Sequence, residues 1–179
     1  MEEICEELAA MVAADQQVRW AWNEVRLDET VGEEEKARVK SEWERIDANN
    51  LKRLRGIFAA HGYPDEQRFG KRASHDFWLL IQHCDEAPEF QRKVLAAIEP
   101  LMSNDNADPT DYAFLYDRVQ VNTGRLQRYG TQVAKREDGP GYHPKPLEEP
   151  ELVNERRARM GLDPLEEYLE LMTTLFPQE

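Results

Sequence analysis

What the chain lacks narrows its function before any motif is read. Cysteine is scarce: only Cys5 and Cys84 are present, both in helical patterns among apolar neighbours. Such cysteines read as small packing residues rather than as a disulfide or a metal pair. No run approaches the ~20 apolar residues a membrane span needs, so no membrane partner is expected. The first stretch, Met1–Gln16, has no basic segment followed by an apolar one, so no signal peptide is expected and the expected location is cytoplasmic. Basic residues are outnumbered 23 to 36, for a net charge of -13. With no basic cluster to offset it, that charge repels phosphate backbones and argues against a nucleic-acid partner. Solubility alone accounts for most of the acidity. Missing too are a Gly-rich phosphate loop, HExxH, CxxC and GxSxG. So are the paired ExxH motifs of carboxylate-bridged di-iron bundles.

What is present is helical periodicity. At 179 residues the chain fits one domain with a proper core. The pattern predicts helices over Glu2–Val25 and Glu33–Ala60, the second stopped by His61-Gly62-Tyr63-Pro64 because Gly caps and Pro cannot continue. Pro64–Gly70 reads as a loop. A third helix is expected over Lys71–Cys84 and a fourth over Pro88–Met102. Asp108-Pro109 then gives a capping side chain followed by Pro at the first helical position, starting a fifth that runs to Val121. Arg125–Val133 reads as a short extended segment. Arg136–Pro150, rich in Gly and Pro and without periodicity, reads as a structureless binding loop or lid. Two short helices close the chain, one from Pro150 to before Gly161 and one from Asp163-Pro164 to Phe176. The expectation is a single all-α domain over 1–179, an irregular bundle of about six or seven helices around a central polar pocket. Its core helices cover 2–121, a pocket-closing segment and loop cover 122–150, and a helix pair covers 151–176.

The pocket is inferred from polar residues standing inside apolar stripes. Ile4, Leu8, Met11, Val18 and Trp22 share a face of the first helix, and Asp15 lies at its centre with Arg19 one turn on. Val39, Trp43, Ile46, Leu54 and Ile57 form the second stripe, with Asn50 inside it and Asp47 on its flank. Gln91 interrupts the fourth stripe. An unpaired buried charge costs several kcal/mol, so these residues must be paired, hydrated or used. An ion pair fixing helix register explains Asp15 and Arg19 as well as a ligand-facing role does. His83 flanks the third stripe, where a histidine is more often structural than catalytic. With a carboxylate in reach it would suit acid–base work. Asp85 lies near the end of that helix. His75 and Gln82 point away from the stripe, and His61 reaches the stripe side only if the second helix persists that far. Gln127, Arg128, Tyr129, Thr131 and Gln132 surround Gly130 with hydrogen-bonding groups that could hold a polar ligand or satisfy helix ends. Asp117 and Arg118 lie off the Tyr112-Tyr116-Val119 stripe, and periodicity places neither in a pocket. His75-Asp76 matches the two-residue signature of HD-type metal phosphohydrolases, for which His61 and Asp117 would be the further ligands. The short spacing from His61 and the outward His75 weigh against it.

Several of these residues line up in order with a known family. Asp15-Gln16 with Arg19, Asp47 with Asn50, His61-Gly62-Tyr63-Pro64, Gly70, Gln82-His83 with Asp85, Gln91, Asp117-Arg118, Gly124, and Gln127 with Tyr129-Gly130-Thr131-Gln132 carry the likeness. On these pieces the chain resembles a bacterial domain family of unknown function, over nearly its whole length. Tyr63 stands where that family more often has Trp. The resemblance implies no activity.

Together these readings give the expectation of a small enzyme acting on a small polar metabolite or modified peptide by general acid–base chemistry. His83 would be the acid or base, with Asp15 or Asp85 assisting. Arg19 or Arg118 would hold an anionic group, and Asn50, His61, Gln91, Gln127, Tyr129 and Gln132 would complete the substrate site. That reading expects a cavity of a few hundred Å3 with His83 in its wall. No cofactor is strongly implied. A divalent metal is the possible exception, with Asp15, Asp47, His61 and His83 as its ligands in a metal-dependent hydrolase. The rival expectation is a non-catalytic binding or immunity-type module in which the polar cluster satisfies itself.

Overall fold

The structure, a computed structural model, describes residues 1–177. Among them are seven α-helices and one two-stranded sheet: α1 Glu2–Arg26, α2 Glu33–His61, α3 Glu66–Gln82, α4 Pro88–Met102, α5 Pro109–Asn122, β1 Val133–Lys135, β2 Tyr142–Pro144, α6 Val153–Arg159 and α7 Leu165–Leu175. A 3-10 turn, Pro150–Leu152, leads into α6. The fold is therefore all-α, as the periodicity predicts. Among the described residues no helix is long and apolar enough to cross a membrane. The chain divides into two compact units, Met1–Glu86 and a second from Ala87 onward.

In the first unit α1 and α2 run antiparallel, and α3 packs mainly on α1. Leu8, Leu54, Ile57, Phe77, Leu80 and Ile81 are almost wholly buried, each contributing roughly 1.5–3 kcal/mol of apolar burial. Gly62 ends α2 with φ 71°, a left-handed value that Gly adopts at little cost, and its N–H bonds the Phe58 carbonyl. Asp65 caps α3 by accepting the Arg68 N–H at 3.0 Å. The helical turn this cap starts lies inside the segment 64–70 read from sequence as a loop. Gly70 (φ 81°, ψ 157°) then breaks the helix, so the expected start at Lys71 marks the resumption after a kink. Gln82, expected to point outward, is buried.

In the second unit α4 packs on α5. Asp108 caps α5 through the Thr110 N–H at 2.8 Å and Pro109 follows at the first position, as expected. The stretch 136–150 is not structureless. β1 and β2 pair antiparallel, Val133 opposite Pro144 and Lys135 opposite Tyr142, around the turn Asp138-Gly139-Pro140-Gly141. Gln127 bridges to Leu147, and α7 packs on β2. The strands are too short for alternation to be visible in sequence, while the Gly-Pro-Gly turn is visible and reads equally well as loop.

Candidate functional site

The first unit gathers four of the expected residues into one hydrogen-bonded chain. Asp15, on the middle of α1, is fully buried. His83, the residue that ends α3, donates Nδ1–H to its carboxylate at 2.9 Å to Oδ2 and 3.1 Å to Oδ1. Arg19, one turn along α1, donates Nε–H to the same two oxygens at 3.1 and 3.2 Å. Its Nη2 reaches Asp47 Oδ1 on α2 at 2.8 Å. Gln16 adds a donor to Asp15 Oδ2 at 3.0 Å. The Arg19 guanidinium lies over the Trp43 ring, 5.1 Å from its centroid, and Trp43 meets Trp22 at 6.0 Å. Helical spacing explains the convergence: Asp15 and Arg19 are i,i+4, and Trp43 and Asp47 repeat that step on the facing helix.

The electrostatics follow from this geometry. Burial pushes the Asp15 carboxyl up, but hydrogen bonds and charge from His83 and Arg19 outweigh it and hold the group below its ordinary range. Burial raises the Asp47 carboxyl, with Arg19 pulling the other way and the Asp15 charge adding to the rise. An ionised Asp15 can only accept, so Nδ1 carries a proton and Nε2 is the ring nitrogen turned away from the carboxylate. No described residue hydrogen-bonds Nε2, and the His83 side chain is 17% exposed. The geometry is that of an imidazole oriented by a buried carboxylate.

Other expected residues take different places. Asp85 is exposed beyond the α3 end, so Asp15, not Asp85, is the carboxylate that orients His83. Arg19 was expected to hold an anion, but its guanidinium is shared between Asp15 and Asp47. The same sharing overturns the expected metal set. Arg19 puts a positive charge between the two carboxylates, and the Asp15 oxygens already accept from His83, Arg19 and Gln16. His61 instead sets its ring edge-on to Phe69 at 6.0 Å. Among the described residues no three His, Cys, Asp or Glu side chains form a metal-binding group. His75 is exposed against Trp78, and Asp76 is buried with Arg72 at 3.7 Å. Asn50 is buried on α2, and its Nδ2 has no hydrogen-bond partner among the described residues. A groove of about 410 Å3 runs between α1 and α2, lined by apolar side chains such as Val18, Val39 and Ile46 together with Gln17, Glu42 and two arginines. His83 does not line it, contrary to expectation. The groove follows the stripe of α1 one residue round from Asp15, Arg19 and Trp22.

In the second unit the Gln127–Gln132 segment is built from Asp117, a residue that periodicity left unplaced. Asp117 is fully buried. It accepts the N–H groups of Arg128 (2.7 Å), Tyr129 (3.1 Å) and Thr131 (2.9 Å) and the Thr131 hydroxyl at 3.0 Å. Burial raises its carboxyl despite these bonds. Gln127, also fully buried, donates to the Gln132 and Lys145 carbonyls at 2.8 Å and accepts the Gln132 N–H at 2.9 Å. Both amide hydrogens and the oxygen are engaged, so Gln127 organises the loop instead of facing a ligand. The Tyr129 ring packs edge-on against Tyr116 at 5.8 Å, and Gln132 donates to the Thr131 hydroxyl at 3.2 Å. Sequence reasoning also missed Arg157, which is buried and donates to the Tyr129 carbonyl at 2.8 Å and the Asp163 carbonyl at 2.6 Å, over the Tyr168 ring. Gln91 is buried on α4 and Arg118 half-buried on α5.

No curated protein and no solved structure matches this chain. The model of a family of unknown function (DUF6624) matches residues 2–177, and the chain belongs to that family.

Proposed function

We propose that the protein is a small cytoplasmic enzyme that acts on a small polar molecule by general acid–base chemistry, with His83 as the base and Asp15 as the residue that orients it. One observation carries this reading: a buried carboxylate holds Nδ1 of a half-buried imidazole while Nε2 meets no described partner. The carboxylate sets the tautomer, so the lone pair of Nε2 faces outward from the pair. It stabilises the imidazolium that forms when Nε2 takes a proton. Arg19 and Gln16 lock the carboxylate in turn, and the Arg19–Asp47 contact ties that lock to the second helix. The roles are then distinct: His83 moves the proton, Asp15 positions His83, Arg19 holds Asp15, and Asp47 holds Arg19.

The test is turnover of a polar metabolite mixture followed by NMR, comparing the full chain with His83→Gln and Asp15→Asn. Loss of a positioned acid–base group costs about 10²–10⁴ in rate. The reading expects consumption by the wild type, a loss of that order in His83→Gln, and a smaller loss in Asp15→Asn. Turnover retained in His83→Gln, or no turnover across amides, esters, hydroxy acids and amines, overturns it.

A second reading, a non-catalytic binding module, is favoured by the groove between α1 and α2, which the His83 cluster does not line. Substitutions in that groove, such as Val39→Arg, would then abolish binding to a partner that His83→Gln leaves untouched.

A further inference from the structure

We infer that the groove between α1 and α2 binds a medium-chain aliphatic carboxylate, its chain along the groove floor and its carboxylate at an arginine of the rim. This does not depend on acid–base chemistry at His83, and it gives the binding reading a ligand class. Shape is the first support. The groove has a volume of about 410 Å3, within the few hundred Å3 usual for a small-molecule site. Val18 of α1 and Val39 and Ile46 of α2 line it. Val39 and Ile46 are seven residues apart. At a rise of ~1.5 Å per residue the apolar strip therefore runs roughly 10 Å along α2. A strip of that length and character suits an unbranched alkyl chain, which gains by leaving water.

Charge supplies an independent observation. Arg38 and Arg45 line the groove beside Val39 and Ile46, with Glu42 between them. Among the described residues, two positive charges and one negative thus line a groove in a chain of net charge -13. The arginine donors are only partly spent. Arg38 donates from Nε and Nη2 to Glu35 at 2.8 and 2.6 Å, and Arg45 donates from the same two nitrogens to Glu42 at 2.9 and 2.6 Å. Nη1 of each meets no described residue, which leaves that nitrogen's N–H groups for an incoming oxygen. Both pairs are exposed i,i+3 contacts, a kind that holds its partners weakly. A carboxylate is the planar acceptor that a guanidinium matches best, whereas an ammonium group would meet repulsion.

The test is calorimetric titration of the full chain with octanoate below its micelle concentration, alongside acetate, octanol and octylammonium. Octanoate is expected to bind saturably. Acetate, which lacks the chain, and octanol, which lacks the charge, are expected to be at least tenfold weaker, and octylammonium weaker still. Arg38→Gln combined with Arg45→Gln, checked for fold by circular dichroism, is expected to weaken octanoate at least fivefold and to leave octanol unchanged. Ile46→Gln is expected to weaken both. No saturable octanoate binding, octanol or octylammonium as tight as octanoate, or full affinity in the double arginine variant overturns the inference. So does loss of octanoate binding in His83→Gln, which would put the site at the imidazole. A protein that ignores octanoate but forms a dimer dissociated by Val39→Arg would assign the groove to a second copy instead. The two readings fail separately. Octanoate binding without metabolite turnover leaves the groove assigned and removes the enzyme. Turnover that needs His83, without octanoate binding, does the reverse.

Discussion

Replacing Asp117 by Ala is the sharpest test of how the second unit is held together. The carboxylate accepts three backbone N–H groups and one hydroxyl, and the residues around it, Tyr129 and Thr131, are buried. Removing it strands three N–H donors whose alternative partners are few. A buried donor left unmatched costs about 1–3 kcal/mol. Allowing for water entering the space vacated by the side chain, the expected loss is roughly 3–6 kcal/mol. That is a large part of the 5–15 kcal/mol typical of a domain. Asp117→Asn keeps one acceptor oxygen but turns an NH2 toward the remaining donors, so it recovers only part of the loss. Urea unfolding followed by far-ultraviolet circular dichroism reads the effect. With a slope of about 2 kcal/mol/M, a 4 kcal/mol loss moves the midpoint by about 2 M. A loss below about 1 kcal/mol for Asp117→Ala refutes the claim that this carboxylate organises the 127–132 segment.

Three further outcomes are expected. Asp15 is held below the ordinary carboxylate range by His83 and Arg19 despite its burial. Its stabilisation is therefore complete above the unfolded-state value and is lost as pH falls through the lowered folded value. Asp15→Asn should flatten the acid limb of the stability–pH curve, and an unchanged limb contradicts this assignment. Gly130 has φ 70°, and a Cβ there would meet Leu165 Cδ1 at 2.9 Å. Gly130→Ala should therefore lower stability by about 1–3 kcal/mol in thermal melts, and a neutral result would show that the segment is not packed as described. Asn50→Leu removes a buried unmatched donor and should leave the melting temperature unchanged or higher. A clear drop would show that Asn50 serves the fold.

The helices were legible because their faces are. Helical spacing pairs Asp15 with Arg19 on the first helix and sets Asp47 on the flank of the second stripe and His83 on the flank of the third; that they meet is expected only from polar residues interrupting several stripes at once. What spacing could not give was the direction of Arg19, which bridges two carboxylates across helices instead of meeting a ligand. Asp117 escaped for a different reason. α5 is buried at Asp111, Ala113, Leu115, Asp117 and Val119 and half-buried between them. A helix covered on nearly all sides has no polar face against which a buried Asp stands out. Arg157 carries no local signal at all, because its partners are backbone carbonyls of distant residues. The α3 kink shows the limit of reading a breaker alone: Gly70 marked an interruption, whereas the helix begins with the Asp65 cap, visible only as an Asp followed by polar residues.

The loop network around Asp117 also has a consequence for the order of folding. Its bonds span 11 to 14 residues from Asp117, 28 from Arg157 to Tyr129 and 37 from Tyr168 to Thr131. The helix bonds of α4 and α5, by contrast, close within a single turn. Longer loops cost more entropy to close, so this segment locks after the helices it touches have formed. A contact made late leaves the folding rate nearly untouched and governs the rate of opening. Asp117 thus acts as a latch: its loss should shorten the lifetime of the native second unit while leaving the speed of its formation almost unchanged.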